Sequence, residues 1–516
     1  MFVDKFSFRE TGQFSQLFLD YIDKKSSLDR FYNNFPDEAG FKSQIESRQL
    51  DKGIRAILAD QLNAQYRNPE GIVADNIEAL RSEKTFTITT GHQLNIFTGP
   101  LYFVYKIITV INACKELHAK YPGYKFVPVY WMASEDHDLE EIQYFHMQGQ
   151  KYTWETDQTG AVGHMDPSGL KEVLDKIPGD HPIFEKAYLD SRTLADAARF
   201  YVNELFGHEG VVVIDGDDKE LKGIFSTVAG EELFEGSTAP LVKEQSKYLE
   251  SLGYKSQISA REINLFFLAP SFRERIIREN GKFEVMNSDI NFSNSEMEEL
   301  IQSDPQKLSP NVILRPLYQE LILPNLAYVG GPAEIVYWLQ LKPIFDHYKI
   351  TFPILLPRNF VLYIDHVTYR KIEKTGAEIE DVLLNVSDLL KKIVSQESGE
   401  VQFNSEWASI QTLYDKINKE LTSIDPTLNQ MVDAEKKKVE KSIEKIAKKG
   451  NRAILRKHTD LRNQVLSWYN DLHPGGAIQE RTLNFLHFQI DDPSFLSMIA
   501  EQINPFDLRY HVITNK

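Results

Sequence analysis

Between residues 85 and 91 the β-branched Thr85, Thr87 and Thr89 alternate with Phe86 and Ile88, and the run closes on Gly91. A period of two predicts a strand. A short polar stretch, 92–98, follows. From Gly99-Pro100 apolar residues recur at Leu101, Val104, Ile107, Ile108, Ile111 and Cys114, the three-to-four spacing of a helix. Pro100 suits a first helical turn, where its missing N–H is no loss, and Gly99 then falls at the cap. Such a helix end offers unpaired N–H groups and partial positive charge to a phosphate or carboxylate. Strand–loop–helix units of this kind are where doubly wound α/β folds place ligands.

The pattern recurs. Residues 126–132 form a second apolar run that ends in Glu135-Asp136-His137-Asp138, and 210–215 form a third with an acidic end. After about ninety residues of helices and short strands, 326–331 predict a strand that runs into Gly330-Gly331-Pro332, a second Gly-Pro helix start. Residues 352–357 predict the last strand. Right-handed crossovers then give the order 3-2-1-4-5, with the strands ending at Gly91 and Gly331 as neighbours and both helix starts at the switch-point crevice. From about 365 to 474 long helical patterns, broken near Ser398-Gly399 and Asp425-Pro426, carry Val432, Val439, Ile443, Ile446, Leu461 and Val465 on an approximate heptad spacing among many Lys and Arg. This predicts an antiparallel coiled-coil arm with a solvated basic face.

The fold class is therefore α/β: a Rossmann-like parallel sheet with connective insertions, plus a long α-helical coiled-coil arm. The expected regions are a helical 1–83, a first Rossmann-like half 84–219, an insertion 220–309, a second half 310–364, the arm 365–474, and an apolar segment 475–516 that docks on the core.

Composition narrows the function classes. A net charge of −17 over 516 residues opposes non-specific binding of nucleic acid. No apolar run reaches membrane-spanning length, and the one from Leu101 is interrupted at Lys106. The N-terminus has charges where a signal peptide has its apolar core. A cytoplasmic protein without nucleic-acid or membrane partners is the expectation. Cys114 is the single cysteine, so an intrachain disulfide and a Cys-rich zinc site are excluded, and its place on an apolar helix face marks a packed thiol.

Candidate chemistry gathers at the strand ends. His92 and Gln93, with Thr98 and Gly99 beyond them, follow the first strand, and an imidazole there could donate to a phosphate oxygen. Glu135, Asp136, His137 and Asp138 form the densest ionisable cluster; they could bind an amine, take its proton or hold Mg²⁺ with ATP. Gly330 and Gly331 permit close backbone approach, Glu334 complements the helix dipole, and Arg315 and Arg358 could each neutralise an anion or equally form a structural ion pair. No Walker loop, dinucleotide Gly-x-Gly-x-x-Gly or Gly-x-Ser-x-Gly elbow is present.

Several long motifs in this order resemble one family. Thr90-Gly91-His92-Gln93, Phe97-Thr98-Gly99-Pro100-Leu101-Tyr102, Pro128-Val129-Tyr130-Trp131, Glu135-Asp136-His137-Asp138, Leu314-Arg315-Pro316, and residues 328–341 around Gly330-Gly331-Pro332 and Glu334 are similar to the BshC family of bacillithiol biosynthesis, as are Pro474-Gly475-Gly476 and Gln479-Glu480-Arg481. The similarity runs nearly end to end. It implies a Rossmann-like core distantly similar to class I aminoacyl-tRNA synthetases, and a coiled coil that supports a homodimer. The implied reaction is a ligation of L-cysteine to the amine of glucosaminyl-malate. ATP, with Mg²⁺, would activate the cysteine carboxylate, and no structural metal is implied. The resemblance and the strand ends together nominate His92, His137 and Asp136 as catalytic. They nominate Gln93, Thr98, Gly99, Glu135, Asp138, Arg315, Gly330, Gly331, Glu334 and Arg358 as substrate- or nucleotide-binding. The literal His-Ile-Gly-His and Lys-Met-Ser-Lys-Ser signatures of class I synthetases are absent. The competing readings are a non-catalytic coiled-coil dimer that binds a nucleotide or metabolite, and a nucleotidyltransferase on the same fold.

Overall fold

A computed structural model describes residues 1–399 and 401–516. It resolves into two compact units, one of residues 5–361 and 479–511, the other of 1–4, 362–478 and 512–516.

The first unit is organised by a five-stranded parallel sheet: β1 (Thr85–His92), β2 (Lys125–Met132), β3 (Val212–Asp215), β4 (Asn325–Gly330) and β5 (Ile354–Pro357). Their order is β5-β4-β1-β2-β3, which is the order that crossover handedness predicts. β1 pairs with β2 from Thr85↔Lys125 to His92↔Met132, and β4 pairs with β1 through Tyr328↔Thr89. β1 is buried along nearly its whole length and β4 throughout, as sheets covered on both faces require. Ile88, Leu326, Val329 and Leu356 pack with Val110 and Cys114 of the helix α1 (Tyr102–Lys120) in one apolar cluster. Truncating a fully buried residue there, such as Ile88→Ala, costs about 2–5 kcal/mol. The Cys114 thiol is buried and held well above its ordinary pKa by that burial.

Helix α1 begins two residues later than the Gly-Pro signal predicts, with Leu101 at its cap. The Leu101 N–H is taken by the Leu483 carbonyl at 2.7 Å, so a C-terminal residue uses an amide that the helix start alone would offer to a ligand. α1 is buried almost all round because residues 479–511 cover its outer side; Asn112 Nδ2 donates to the carbonyls of Ala500 (2.8 Å) and Ile503 (3.0 Å).

Three further helices bear on the site: α2 (Lys219–Glu235), α3 (Arg315–Ile322) and α4 (Pro332–Trp338). α4 starts as the sequence predicts, with Gly331 at the cap and Pro332 in the first turn. The insertion between β3 and β4 contains a five-stranded sheet that includes Leu265–Ala269, Phe272–Glu279 and Leu308–Pro310, with antiparallel pairing.

The second unit contains an antiparallel helical hairpin, α5 (Asn404–Ile424) and α6 (Leu428–Lys457), followed by α7 (Thr459–Leu472). The breaks fall where Gly399 and Asp425-Pro426 predict them. Val432 is buried, whereas Leu413, Ile424, Met431 and Ile446 are exposed. No helix among the described residues is long and apolar enough to cross a membrane.

Candidate active site

The crevice at the switch point is built from the C-terminal ends of β1 and β4. Lys106, one turn into α1, is buried; its Nζ donates to the Gly91 carbonyl at 2.9 Å and pairs with Glu334 at 2.6 Å. Glu334 also accepts from the Tyr328 hydroxyl at 2.6 Å and from the Gly331 N–H at 2.8 Å. The residue therefore caps α4 and anchors a buried lysine at once. Burial pushes its carboxyl up, but the Lys106 charge and these donors outweigh it and hold the pKa below the ordinary value. Burial lowers Lys106, with Glu334 opposing.

Arg315, at the start of α3, places its guanidinium 5.7 Å from the Tyr328 ring and 5.9 Å from the Trp131 ring. Its Nη1 donates to Gln319 at 3.1 Å. A side chain at Gly91 would sit 3.6 Å from that Nη1, so glycine keeps this edge of the crevice open. Arg358 is held by Glu480 in a two-pronged pair at 2.8 and 2.5 Å. It is both a structural ion pair and a crevice cation, since its charge acts on His92, Lys106 and Tyr102. Arg315 Nη2 and Arg358 Nε are buried without a hydrogen-bond partner. Buried N–H groups left in this state call for an acceptor.

His92 is the last residue of β1, half-buried, with its ring 5.1 Å from Tyr102 and 5.3 Å from Phe103. Its Nδ1 lies 3.0 Å from the Gln93 carbonyl. A carbonyl only accepts, so Nδ1 carries the hydrogen and Nε2 is left as an acceptor in the neutral ring. Burial, then the Lys106 charge, lower its pKa to about 3. The neutral ring at pH 7 accepts at Nε2, which differs from the donor role that sequence alone suggests.

Gln93 continues the edge, with Nε2 donating to Asp136 and to Glu141 at 2.8 Å each. Thr98 and Gly99 lie in the loop wall. Thr98 is fully buried, and Phe97 (φ 51°) and Thr98 (φ 70°) are both left-handed, a costly backbone for such residues. Asn484 holds them there by donating to the carbonyls of Phe97 and Gly99 at 2.6 Å each. Gly99 has φ 64°, and a Cβ on it would lie 2.6 Å from that of Asn95. Its requirement for glycine is thus steric, and a bulky residue here would displace the loop itself.

The Glu135–Asp138 cluster fans out. Glu135 turns inward to pair with Lys222 of α2. Asp136 faces Gln93, while His137 and Asp138 are exposed. His137 Nδ1 lies 3.4 Å from Arg273 Nη1 and 3.8 Å from Asp136. Lys222 is fully buried and reaches Asp217 at 3.3 Å, and Asp217 accepts from His164 Nε2 at 2.6 Å.

Sequence reasoning thus finds both walls of the crevice and misses Lys106, Lys222, His164 and Arg273. The lysines had a signal, a charge inside an apolar helical face. His164 and Arg273 come from loop and insertion segments whose spacing carries none. Among the described residues no group of three or more His, Cys, Asp or Glu could hold a metal ion.

A parallel sheet with its cations, partnerless N–H groups and glycine edges collected at one switch point has the layout of an α/β enzyme's site. Residues 1–359 match the family model described as the N-terminal Rossmann-like domain of bacillithiol biosynthesis BshC, and residues 361–515 match its C-terminal coiled-coil domain. Curated relatives named "Putative cysteine ligase BshC" include one from Cytophaga hutchinsonii, 40% identical over 98% of this chain and 97% of its own. Another, from Flavobacterium psychrophilum, is 39% identical over 99% of each. The chain belongs to the BshC family of bacillithiol biosynthesis and is a ligase. Among solved structures, an arginyl-tRNA synthetase assignment from Campylobacter jejuni aligns over 89% of this chain and 98% of that one, at 12% identity. Its TM-score of 0.23 is too low to bear on the fold or the reaction.

Proposed function

We propose that the protein joins the carboxyl of L-cysteine to the amine of glucosaminyl-malate at the expense of ATP, forming bacillithiol in the cytoplasm. The observation that carries this reading is the crevice between β1 and β4. Lys106 and Arg358 act on His92 there, Arg315 Nη1 borders Gly91, and one N–H group of each arginine lacks an acceptor. In a chain of net charge −17, such a cradle fits an anion, and both an amino-acid carboxylate and a nucleotide phosphate qualify.

A carboxylate is a poor electrophile. ATP, as co-substrate, supplies the activation, with Mg²⁺ arriving on its phosphates and needing only one or two protein carboxylates. In this reading Arg315 and Arg358 hold the anionic group, and Gly330 and Gly331 let it approach the backbone. His92 accepts a hydrogen bond at Nε2, which suits the cysteine ammonium. Gln93 and Asp136 carry the edge toward the acceptor, with Glu135, His137 and Asp138 beyond them. Thr98 and Gly99 shape the loop wall. The exposed apolar positions on α5 and α6 support a homodimer formed through the arm.

The test is incubation of the intact protein with cysteine, glucosaminyl-malate and ATP, with mass detection of products. Bacillithiol is expected, with nucleotide turnover that needs both other substrates. Product without ATP, or ATP bound and released unchanged with no product, would overturn the reading.

A further inference from the structure

The crevice supplies cations for an activated carboxylate but no imidazole oriented to take the acceptor's proton. His92 is a weak base there, because burial and Lys106 oppose its protonation. His137 is no nearer than 3.8 Å to a carboxylate, with an arginine nitrogen at 3.4 Å. A third imidazole stands at the same edge of the sheet.

His164 lies in a short turn (Val162–His164) pinned to the end of β2 by backbone hydrogen bonds, Val162 N–H to the Asp136 carbonyl at 2.7 Å and Gly163 N–H to the Ser134 carbonyl at 2.8 Å. A Cβ at Gly163 would fall 2.5 Å from the Ser134 Cβ, so only glycine lets the turn seat this closely. The imidazole is 48% exposed, and its Nε2 meets Asp217 Oδ2 at 2.6 Å. Its Nδ1 makes no hydrogen bond to a described residue. Asp217 is itself fixed: its side chain is 6% exposed, Lys222 reaches its other oxygen at 3.3 Å, and its N–H donates to Asp215 at 2.9 Å. A carboxylate that orients one ring nitrogen and leaves the other open is the arrangement of a proton acceptor.

We infer that His164, oriented by Asp217, is the catalytic residue that takes the proton from the acceptor amine, while Asp217 is a positioning residue. The inference rests on the ligase reading above. β1 and β3, the strands beside which the crevice and Asp217 lie, are two strand spacings apart, about 10 Å, a gap that the joined substrates can span. The acceptor enters as an ammonium and gives one proton to Nδ1. The neutral nitrogen's lone pair then forms the C–N bond to the activated cysteine carbonyl. The leaving group departs with the C–O electron pair, and the nitrogen's second surplus proton passes to it or to water. The imidazolium is held by Asp217, with Asp215 and Glu135 adding negative charge and Lys222 partly offsetting it. The hydrogen bond to Asp217, against burial, raises the His164 pKa above the ordinary value.

The experiment compares intact wild type with His164→Gln, Asp217→Asn and His137→Ala. Each is assayed with glucosaminyl-malate and, separately, with hydroxylamine, a nucleophile neutral at pH 7 that needs no base. His164→Gln is expected to lower amide formation at pH 7 by about a hundredfold while cysteine hydroxamate formation stays within about threefold. The deficit shrinks as pH rises. Asp217→Asn lowers the imidazole pKa of His164 read by NMR, a measurement independent of turnover. Equal loss of both products in His164→Gln, a loss no larger than in His137→Ala, or an unmoved pKa in Asp217→Asn would overturn the inference. Failure of wild type to form the hydroxamate or the amide would instead overturn the ligase reading, and this inference with it.

Discussion

Arg358 and Glu480, 122 positions apart in sequence, form a buried two-pronged ion pair, with side-chain exposures of 4% and 2%. The pair ties residues just past β5 to the segment that returns after the helical arm. Glu480→Gln is expected to destabilise the protein by about 3–5 kcal/mol, because it leaves the guanidinium charge buried and unpaired. Denaturant unfolding followed by core fluorescence checks this. A change under about 1 kcal/mol would show that water or a neighbour replaces Glu480.

Buried Lys106 and half-buried Glu334 are each other's counter-charge. Lys106→Met should lower turnover by at least about a hundredfold and also lower the thermal midpoint, since Glu334 loses its counter-charge. The double variant Lys106→Met, Glu334→Gln should recover much of the stability and none of the activity. Recovery of activity would remove Lys106 from the anion cradle.

His92 is predicted to stay neutral from pH 5 to 8, with its NMR resonances flat across that window. Its folded pKa, lowered to about 3, lies below the unfolded value of about 6.5. The unfolded chain therefore binds the proton first as pH falls, and the stability contributed by neutral His92 is lost from about pH 6.5 downward. His92→Asn should flatten that part of the stability profile. A titration near pH 6.5 would contradict the burial argument.

Behind the crevice Glu320 is fully buried and accepts from Gln319 at 2.9 Å and Asn325 at 2.7 Å. Burial, against Arg48, pushes its carboxyl up to about 7. The folded state holds this proton more tightly than the unfolded one, so stability falls as pH rises from about 4.5 to 7 and stays lower above. Glu320→Gln should stabilise the protein at pH 8 by about 1–3 kcal/mol and change little at pH 5. Thermal midpoints at the two pH values read this, and an equal effect at both would refute it.

The helical arm is predicted to pair two copies of the chain. Ile424 is 78% exposed and Ile446 58%, more apolar surface than a two-helix hairpin covers. Light scattering should give twice the chain mass, and Ile446→Asp should shift it toward one. A monomer at micromolar concentration would refute the pairing.

The pattern of apolar side chains, a local property, determined the five strands, Gly and Pro residues the breaks in the arm, and crossover handedness the order of the sheet. Two Gly-Pro helix starts and the connection rules then located the crevice beside Gly91 and Gly331. Which charges meet was decided elsewhere. Lys106 reads in sequence as an interruption of an apolar helix, and only the fold supplies Glu334. Arg358 reads in sequence as an anion ligand or a structural ion pair, and only the fold supplies Glu480 from beyond the arm. The Leu101 N–H reads as open until the Leu483 carbonyl takes it. His164 has no signal in its spacing, because its role depends on one turn seated against Ser134 and on Asp217 at the end of another strand. Burial and partner choice are sums over the whole packed chain, so pKa, tautomer and site chemistry belong to the tertiary structure, while the pattern that builds the sheet is written residue by residue.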